Sequence, residues 1–162
     1  MKNDASLREH LISLLKGGNA YMPFSEAVAD FSPQFMNTTF PNGTYTPWDL
    51  LEHIRITQWD ILDFMKNPNY NEISWPDDYW PPKSKKATKK EWEQTIKQFQ
   101  NDLEELQKIA KNPKTDLYAK IPHGTGQTIL REILLVADHN AYHIGEFTIM
   151  RQAMKTWPKN HK

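Results

Sequence analysis

The sequence predicts an all-α protein, a single domain over residues 1–162 that forms a four-helix bundle with a long loop between helices 2 and 3. Apolar residues recur every three or four positions in four separate segments, which is the spacing of one helix face. Three of these segments begin with a residue pattern typical of a helix N-terminus. Apolar and polar residues do not alternate as in a half-buried strand, although residues 114–124 leave room for a short extended piece.

The first helix is expected to begin at Ser6, because Ser6-Leu7-Arg8-Glu9 matches a capping box. Its apolar face consists of Leu7, Leu11, Leu14 and Leu15. Gly17-Gly18 weakens this helix, and Pro23 can start a second short piece after it. The inner side of that piece would carry Ala27, Val28 and Phe31.

The second helix is expected to begin at Thr46-Pro47-Trp48-Asp49, because Thr can cap, Pro suits the first position and Asp favours the positive end of the helix dipole. Pro68 ends it. Its apolar face consists of Leu50, Leu51, Ile54, Ile61, Leu62 and Met65.

Residues 67–87, named here the aromatic loop, contain four prolines among four large aromatic side chains. So many aromatic groups would be costly in water, so we expect the loop to pack over one end or side of the bundle. There it would cover the bundle, wall a metal pocket or serve a partner. The aromatic residues are Tyr70, Trp75, Tyr79 and Trp80.

The third helix is expected to follow the capping box Thr88-Lys89-Lys90-Glu91 and to end before Pro113. Its apolar stripe consists of Trp92, Ile96, Phe99, Leu103 and Leu106. The fourth helix should begin between Thr125 and Thr128 and end near Lys155. It is apolar around much of its circumference, which predicts the most buried helix of the four.

The bulk composition excludes several classes of function. Twenty basic and twenty acidic residues give zero net charge, which argues against nucleic-acid binding. The short basic cluster at 83–90 is interpreted as a solvent-exposed segment that leads into the third helix. The absence of cysteine excludes disulfides and catalysis by the chain's own thiol. With no signal-like apolar N-terminus and no apolar run of membrane-spanning length, a cytoplasmic protein without membrane contact is expected.

Two histidines, His139 and His143, stand four residues apart within the apolar fourth helix. Residues so spaced lie roughly 40° apart around a helix axis, so both imidazoles point the same way. Such a pair can bind one divalent ion. Glu132, Glu146 and Met150 fall on the same stripe.

His53 in the second helix is the best third ligand, because the three imidazoles can meet if the second and fourth helices are neighbours. Three neutral nitrogen ligands leave a position open, as in a catalytic metal site. They suit zinc or nickel, with iron, manganese or copper as alternatives. The competing interpretation is that these are hydrogen-bonded structural histidines. His10, His123 and His161, on an exposed face, in a loop and in the tail, are not expected to be ligands.

Three segments carry a resemblance to a known family: residues 46–64 (TPWDLLEHIRITQWDILDF), 78–81 (DYWP) and 128–146 (TILREILLVADHNAYHIGE). In these segments the chain resembles the DinB-like superfamily of metal-dependent four-helix-bundle proteins, over about residues 20–153. The resemblance implies a bundle of the DinB/YfiT-like type, whose second and fourth helices share a metal at His53, His139 and His143, with the aromatic loop crossing the bundle. It also implies a homodimer and, in some relatives, transfer or isomerisation that uses a low-molecular-weight thiol such as bacillithiol, mycothiol or glutathione.

The chain departs from the family pattern at Glu146, where such proteins often carry glutamine. Glu146 would be a fourth ligand, a partner of an imidazole N–H, a general base or only an exposed helix residue. The charge and openness of the site depend on which of these holds.

Three functions follow from these patterns. The first is a transferase that uses a metal and a small thiol on an electrophile, with Arg55, Arg131 and Arg151 either holding carboxylates of the thiol or lying on helix surfaces. The second is a hydrolase that uses a metal-bound hydroxide, with Glu146 or Asp60 as base. The third is a non-catalytic metal-binding, stress or interaction protein.

Overall fold

The computed structural model describes residues 2–157, and this part of the chain has five α-helices, two short 3-10 helices and no strand. The helices are α1 (Lys2–Lys16), α2 (Phe24–Val28), α3 (Pro47–Lys66), α4 (Lys89–Lys111) and α5 (Ile129–Met154). The predicted all-α fold with four long helices is therefore confirmed. Within residues 2–157, the extended pairing is limited to one isolated bridge between Lys120 and Thr128.

The four long helices form a bundle in which α3 and α1 each pack against both α4 and α5. Three bonds between α3 and α4 join Glu52 to Thr95, Gln58 to Phe99 and Lys66 to Glu105, so the two helices run parallel. A parallel neighbour requires the chain to return along the whole length of α3. The aromatic loop makes this return, and its far end is tied by Asn37, whose side chain pairs with the backbone of Ala87.

Local sequence signals define the ends of α3, α4 and α5. Thr46 with Asp49 and Thr88 with Glu91 form complete capping boxes, and the hydroxyl of Thr128 accepts the N–H of Arg131. α3 and α4 end at Lys66 and Lys111, two residues before a proline in each case, because the residue before proline is disfavoured in a helix. These predicted boundaries are confirmed to within one or two residues.

The predicted start of α1 at Ser6 is wrong, because the helix begins at Lys2. Arg8 donates to Asp4 and also to the carbonyls of Ala110, Asn112 and Thr115, which follow or end α4. Arg8 thus ties the second turn of α1 to the end of α4 and also holds Asp4 of the first turn, so the helix extends upstream of the local capping pattern.

The core consists of two apolar clusters, one at each end of the bundle. Within it, Asn140 of α5 donates to Gln58 of α3, and Gln58 donates to the carbonyl of Phe99 in α4. All three groups are buried, so this chain of bonds fixes the register between the helices that carry the candidate ligands. No helix among residues 2–157 is long and apolar enough to cross a membrane.

The aromatic loop is only partly buried. Tyr79 and Trp80 lie against α3, whereas Trp75 is 71% exposed. The expectation that all four aromatic side chains avoid water is therefore wrong for Trp75, which contacts Tyr79 edge to face.

Candidate metal centre

His53, His139 and His143, named here the histidine cluster, meet at the seam between α3 and α5. Nε2 of His53 lies 3.2 Å from Nε2 of His139 and 3.2 Å from Nε2 of His143. All three ligand atoms lie within 4.8 Å of one another. The helical spacing of four residues aligns His139 with His143, and the packing of α3 on α5 adds His53.

The hydrogen bonds on the far side of two rings determine where their protons lie. Nδ1 of His53 donates to the carbonyl of Tyr79 at 2.8 Å, and Nδ1 of His143 donates to a carboxylate oxygen of Glu146 at 2.8 Å. In a neutral imidazole the other nitrogen then carries a lone pair. Nε2 of His53 and Nε2 of His143 therefore face each other without a proton between them, an arrangement that a shared cation would stabilise.

The spacing of these nitrogens fits a transition metal. Two imidazole nitrogens at about 2.05 Å from a tetrahedral zinc would lie about 3.4 Å apart, close to the observed 3.2 Å. Nδ1 of His139 is buried and makes no hydrogen bond to the described part of the chain. The proton of this ring can therefore lie on Nδ1, which leaves Nε2 free to bind a metal.

The surroundings keep the imidazoles neutral, which is the form that binds metals. Burial lowers the pKa of His139 to about 4, with a further lowering by His53 that the side chain of Asn140 opposes. Burial and the two neighbouring imidazoles lower the pKa of His143 to about 3. Burial also lowers the pKa of His53, against the opposing effect of the Tyr79 carbonyl.

The ring of His53 is held on three sides. The indole of Trp80 stacks on it with centroids 4.1 Å apart and planes 5° apart. The carbonyl of Tyr79 holds Nδ1, and the remaining nitrogen faces the two histidines of α5. The aromatic loop thus forms one wall of the centre.

Glu146 contacts the centre through His143 and follows it by three residues on α5. Of the alternatives predicted for this position, the geometry matches a partner of an imidazole N–H. Burial raises the pKa of the Glu146 carboxyl. A carboxylate at this place orients the ring and increases its basicity toward a metal.

Asp60 follows His53 by two helical turns, and both of its carboxylate oxygens accept tyrosine hydroxyls. Tyr70 donates to Oδ1 at 2.9 Å and Tyr79 donates to Oδ2 at 2.7 Å. Burial raises the pKa of Asp60, and the two hydroxyls oppose that rise. This environment holds the carboxylate in place, and the role of Asp60 as a base stays a prediction.

A cavity of about 590 Å³ adjoins the centre along the α3–α5 seam. Thr57, one turn after His53, and Leu135, one turn before His139, both line it, which places it about 6 Å along the helix axes from the imidazoles. The imidazoles themselves are not in its wall. Its polar lining includes Asp60, Glu72, Tyr79, His123 and Arg131.

The three arginines differ in their availability to a ligand. Arg131 lines the cavity, but it already donates to both oxygens of Glu132 at 2.8 and 3.0 Å. Arg55 is paired with Glu52, which Thr95 of α4 also contacts, so it lies at the α3–α4 seam away from the centre.

Arg151 is fully buried and donates to the carbonyls of Ala27, Ala29 and Thr156. Its guanidinium ties α5 to α2 and is not accessible to a thiol. Both sequence interpretations of Arg151, as a ligand for thiol carboxylates and as a helix-surface residue, are therefore wrong. The sequence signal for this burial was the position of Arg151 within a helix that is apolar around much of its circumference.

The other two histidines among residues 2–157 lie apart from the cluster. His10 is exposed on α1, and His123 contacts the carbonyl of Phe64 at 2.8 Å in the wall of the cavity. His161 lies outside the described residues.

Sequence reasoning did not identify Tyr79 and Trp80 as the groups that hold His53, nor the two tyrosines on Asp60. The DYWP segment marked these positions as unusual, but a loop has no periodicity from which to derive its contacts. Their roles became visible only with the path of the aromatic loop.

Searches of curated proteins and of solved structures found no match to the chain. A family model described as the DinB superfamily matches residues 19–147, which include α2 to α4, the aromatic loop and all three histidines of the cluster. With four long helices, an aromatic loop that crosses the bundle and three converging histidines also in place, the chain belongs to the DinB superfamily.

Proposed function

We propose that the protein holds one divalent transition metal on Nε2 of His53, His139 and His143, and that it is a transferase that joins a low-molecular-weight thiol to a small electrophile. One observation carries the metal part of the proposal. Nε2 of His53 and Nε2 of His143 lie 3.2 Å apart, and the proton of each ring is already used on its other nitrogen.

Three neutral imidazoles favour zinc or nickel, with iron or manganese as alternatives. A bound metal of this kind is a Lewis acid that lowers the pKa of a thiol or water that reaches it. The chain's residues supply the geometry. Glu146 orients His143, and Tyr79 and Trp80 fix the ring of His53.

The thiol part of the proposal is supported by the absence of cysteine, because a sulfur nucleophile must then arrive with a cosubstrate. In the transfer, the thiol sulfur forms a bond to the electrophilic carbon. The leaving group departs with its bonding electrons, and the thiol proton passes to solvent. The adjoining cavity of about 590 Å³ has the volume of a small-molecule site.

A metal-dependent hydrolase is the second candidate, and one observation favours it. Arg131 and Arg55, which we expected to hold carboxylates of the thiol, are already paired with Glu132 and Glu52. A carboxylate-bearing thiol would have to displace these partners. A hydrolase would have no such requirement.

The first test is metal content by inductively coupled plasma mass spectrometry on untagged protein, with His53→Ala and His143→Ala variants. His10→Ala is the matched control, since His10 is exposed on α1. We expect about one transition metal per chain in the wild type and control, and loss in both cluster variants. A wild type that stays metal-free after incubation with zinc and with nickel would refute the metal site.

The second test separates the two reactions. The metal-containing protein is assayed against a panel of electrophiles and esters, with and without glutathione or bacillithiol. Turnover that requires the thiol supports the transferase. Turnover without a thiol that is lost in Glu146→Gln supports the hydrolase, and no turnover in either assay leaves a metal-binding protein.

A further inference from the structure

We infer that Asp60 is a positioning residue of the metal centre, which acts on His53 through Tyr79 and does not itself touch the reacting groups. This inference rests on the proposed metal binding. It replaces the role of base that the sequence suggested for Asp60.

The first link is the bond between Asp60 and Tyr79. The hydroxyl of Tyr79 donates to Oδ2 of Asp60 at 2.7 Å, and Asp60 is 6% exposed. Hydrogen bonds to an ionised acceptor are about twice as strong as neutral ones. The side chain of Tyr79 is therefore fixed to α3.

The second link is the bond between Tyr79 and His53. The backbone carbonyl of Tyr79 accepts Nδ1–H of His53 at 2.8 Å. His53 and Asp60 lie seven residues apart on one face of α3, which is about 10 Å along the axis. Tyr79 contacts both groups, with its hydroxyl on one and its carbonyl on the other, and so spans this distance.

The third link is Trp80, which follows Tyr79 in the chain and stacks on one face of the His53 ring. Because the two residues are consecutive, fixing Tyr79 also restricts where the indole lies. Asp60 thus influences both the nitrogen and the face of the imidazole, although it contacts neither.

The structure provides a matched comparison for this pathway. Tyr70 donates its hydroxyl to the second oxygen of the same carboxylate at 2.9 Å, but its ring packs on Phe64 and His123. Tyr79→Phe and Tyr70→Phe each remove one hydroxyl from Asp60. Only the first also releases a residue that contacts a candidate ligand.

The test measures Zn²⁺ affinity by competition with a chromophoric chelator in the wild type and in these two variants. We expect Tyr79→Phe to weaken binding by less than the roughly 10-fold that loss of an outer partner of a metal ligand costs, because the backbone carbonyl is retained. The loss should still exceed that of Tyr70→Phe, which should change binding by less than about twofold. In the background of Asp60→Ala, Tyr79→Phe should have no further effect, because the link is already broken.

A spectroscopic readout separates positioning from general loosening of the fold. With Co²⁺ as probe, the visible absorption bands should shift in Tyr79→Phe and remain in place in Tyr70→Phe. The Tm of thermal unfolding should fall by similar amounts in both variants. Equal effects of the two variants on affinity and spectrum, or an unchanged spectrum in Tyr79→Phe, would overturn the inference.

A wild type that binds no metal would refute the proposed function, and the positioning of the His53 ring by Tyr79 is therefore tested separately on the metal-free protein. There, the proton resonance of His53 Nδ1 is observed by NMR. It should shift in Tyr79→Phe and not in Tyr70→Phe. The same resonance in both variants would show that Tyr79 does not position the ring.

Discussion

Removal of the Glu146 carboxylate should weaken metal binding without abolishing it. Glu146 accepts Nδ1–H of His143 at 2.8 Å, and the two side chains are 30% and 13% exposed. Loss of such a partner typically costs 10- to 100-fold in metal affinity, about 1.4 to 2.7 kcal/mol. Because water can reach Glu146 and replace it, we expect Glu146→Ala to lie near the lower end, about 10-fold.

Glu146→Gln provides an intermediate case. The amide oxygen can still accept from His143, but the negative charge is lost, and a neutral acceptor forms a bond about half as strong. We therefore expect a loss of about threefold, roughly half the free energy of the alanine variant.

The assay is a Zn²⁺ competition titration at pH 7.5 on the wild type, both Glu146 variants and Glu93→Ala. Glu93 is a matched control for charge, since it is 62% exposed on α4 in an ion pair with Lys89. Unchanged affinity in Glu146→Ala would refute the argument that the carboxylate orients His143. A loss of 1,000-fold or more would instead identify Glu146 as a direct ligand.

Three further predictions concern stability. In the metal-free protein, the pKa of His139 is lowered from 6.5 to about 4, so the unfolded chain takes up protons that the native cluster does not. The contribution of neutral His139 to the free energy of unfolding should therefore be fully present above pH 6.5. Between pH 8 and pH 5 this group alone should lower the free energy of unfolding by about 2 kcal/mol. Urea unfolding at both pH values measures this change, and an equal free energy at both would contradict it. Arg151→Met should reduce the free energy of unfolding by about 3 to 5 kcal/mol, because three carbonyl groups lose a buried charged donor; a loss below about 1 kcal/mol in urea unfolding would be inconsistent with this role. Thr46→Ala removes the cap of α3 and should cost about 1 kcal/mol, seen as a lower Tm, whereas an unchanged Tm would show that the capping box adds no stability.

The sequence by itself determined most of the helical framework. Thr46, Thr88 and Thr128 cap their helices through bonds to residues three positions ahead. Because these bonds are local, the start of each helix can be predicted from the sequence. The register of His139 and His143 is likewise local, because backbone geometry aligns residues four apart on a helix. At α1 the same reasoning failed, since Arg8 holds Asp4 of the first turn and also bonds residues near the end of α4, more than a hundred positions away.

Tertiary structure alone decided which groups complete the centre. The approach of His53 to the α5 histidines depends on how α3 packs on α5, and the bonds of Tyr79 to His53 and Asp60 depend on the path of the aromatic loop. A loop without periodicity leaves no pattern from which such contacts can be derived. The burial of Arg151 has the same cause, because its partner carbonyls come from a distant segment that only the folded chain brings beside α5.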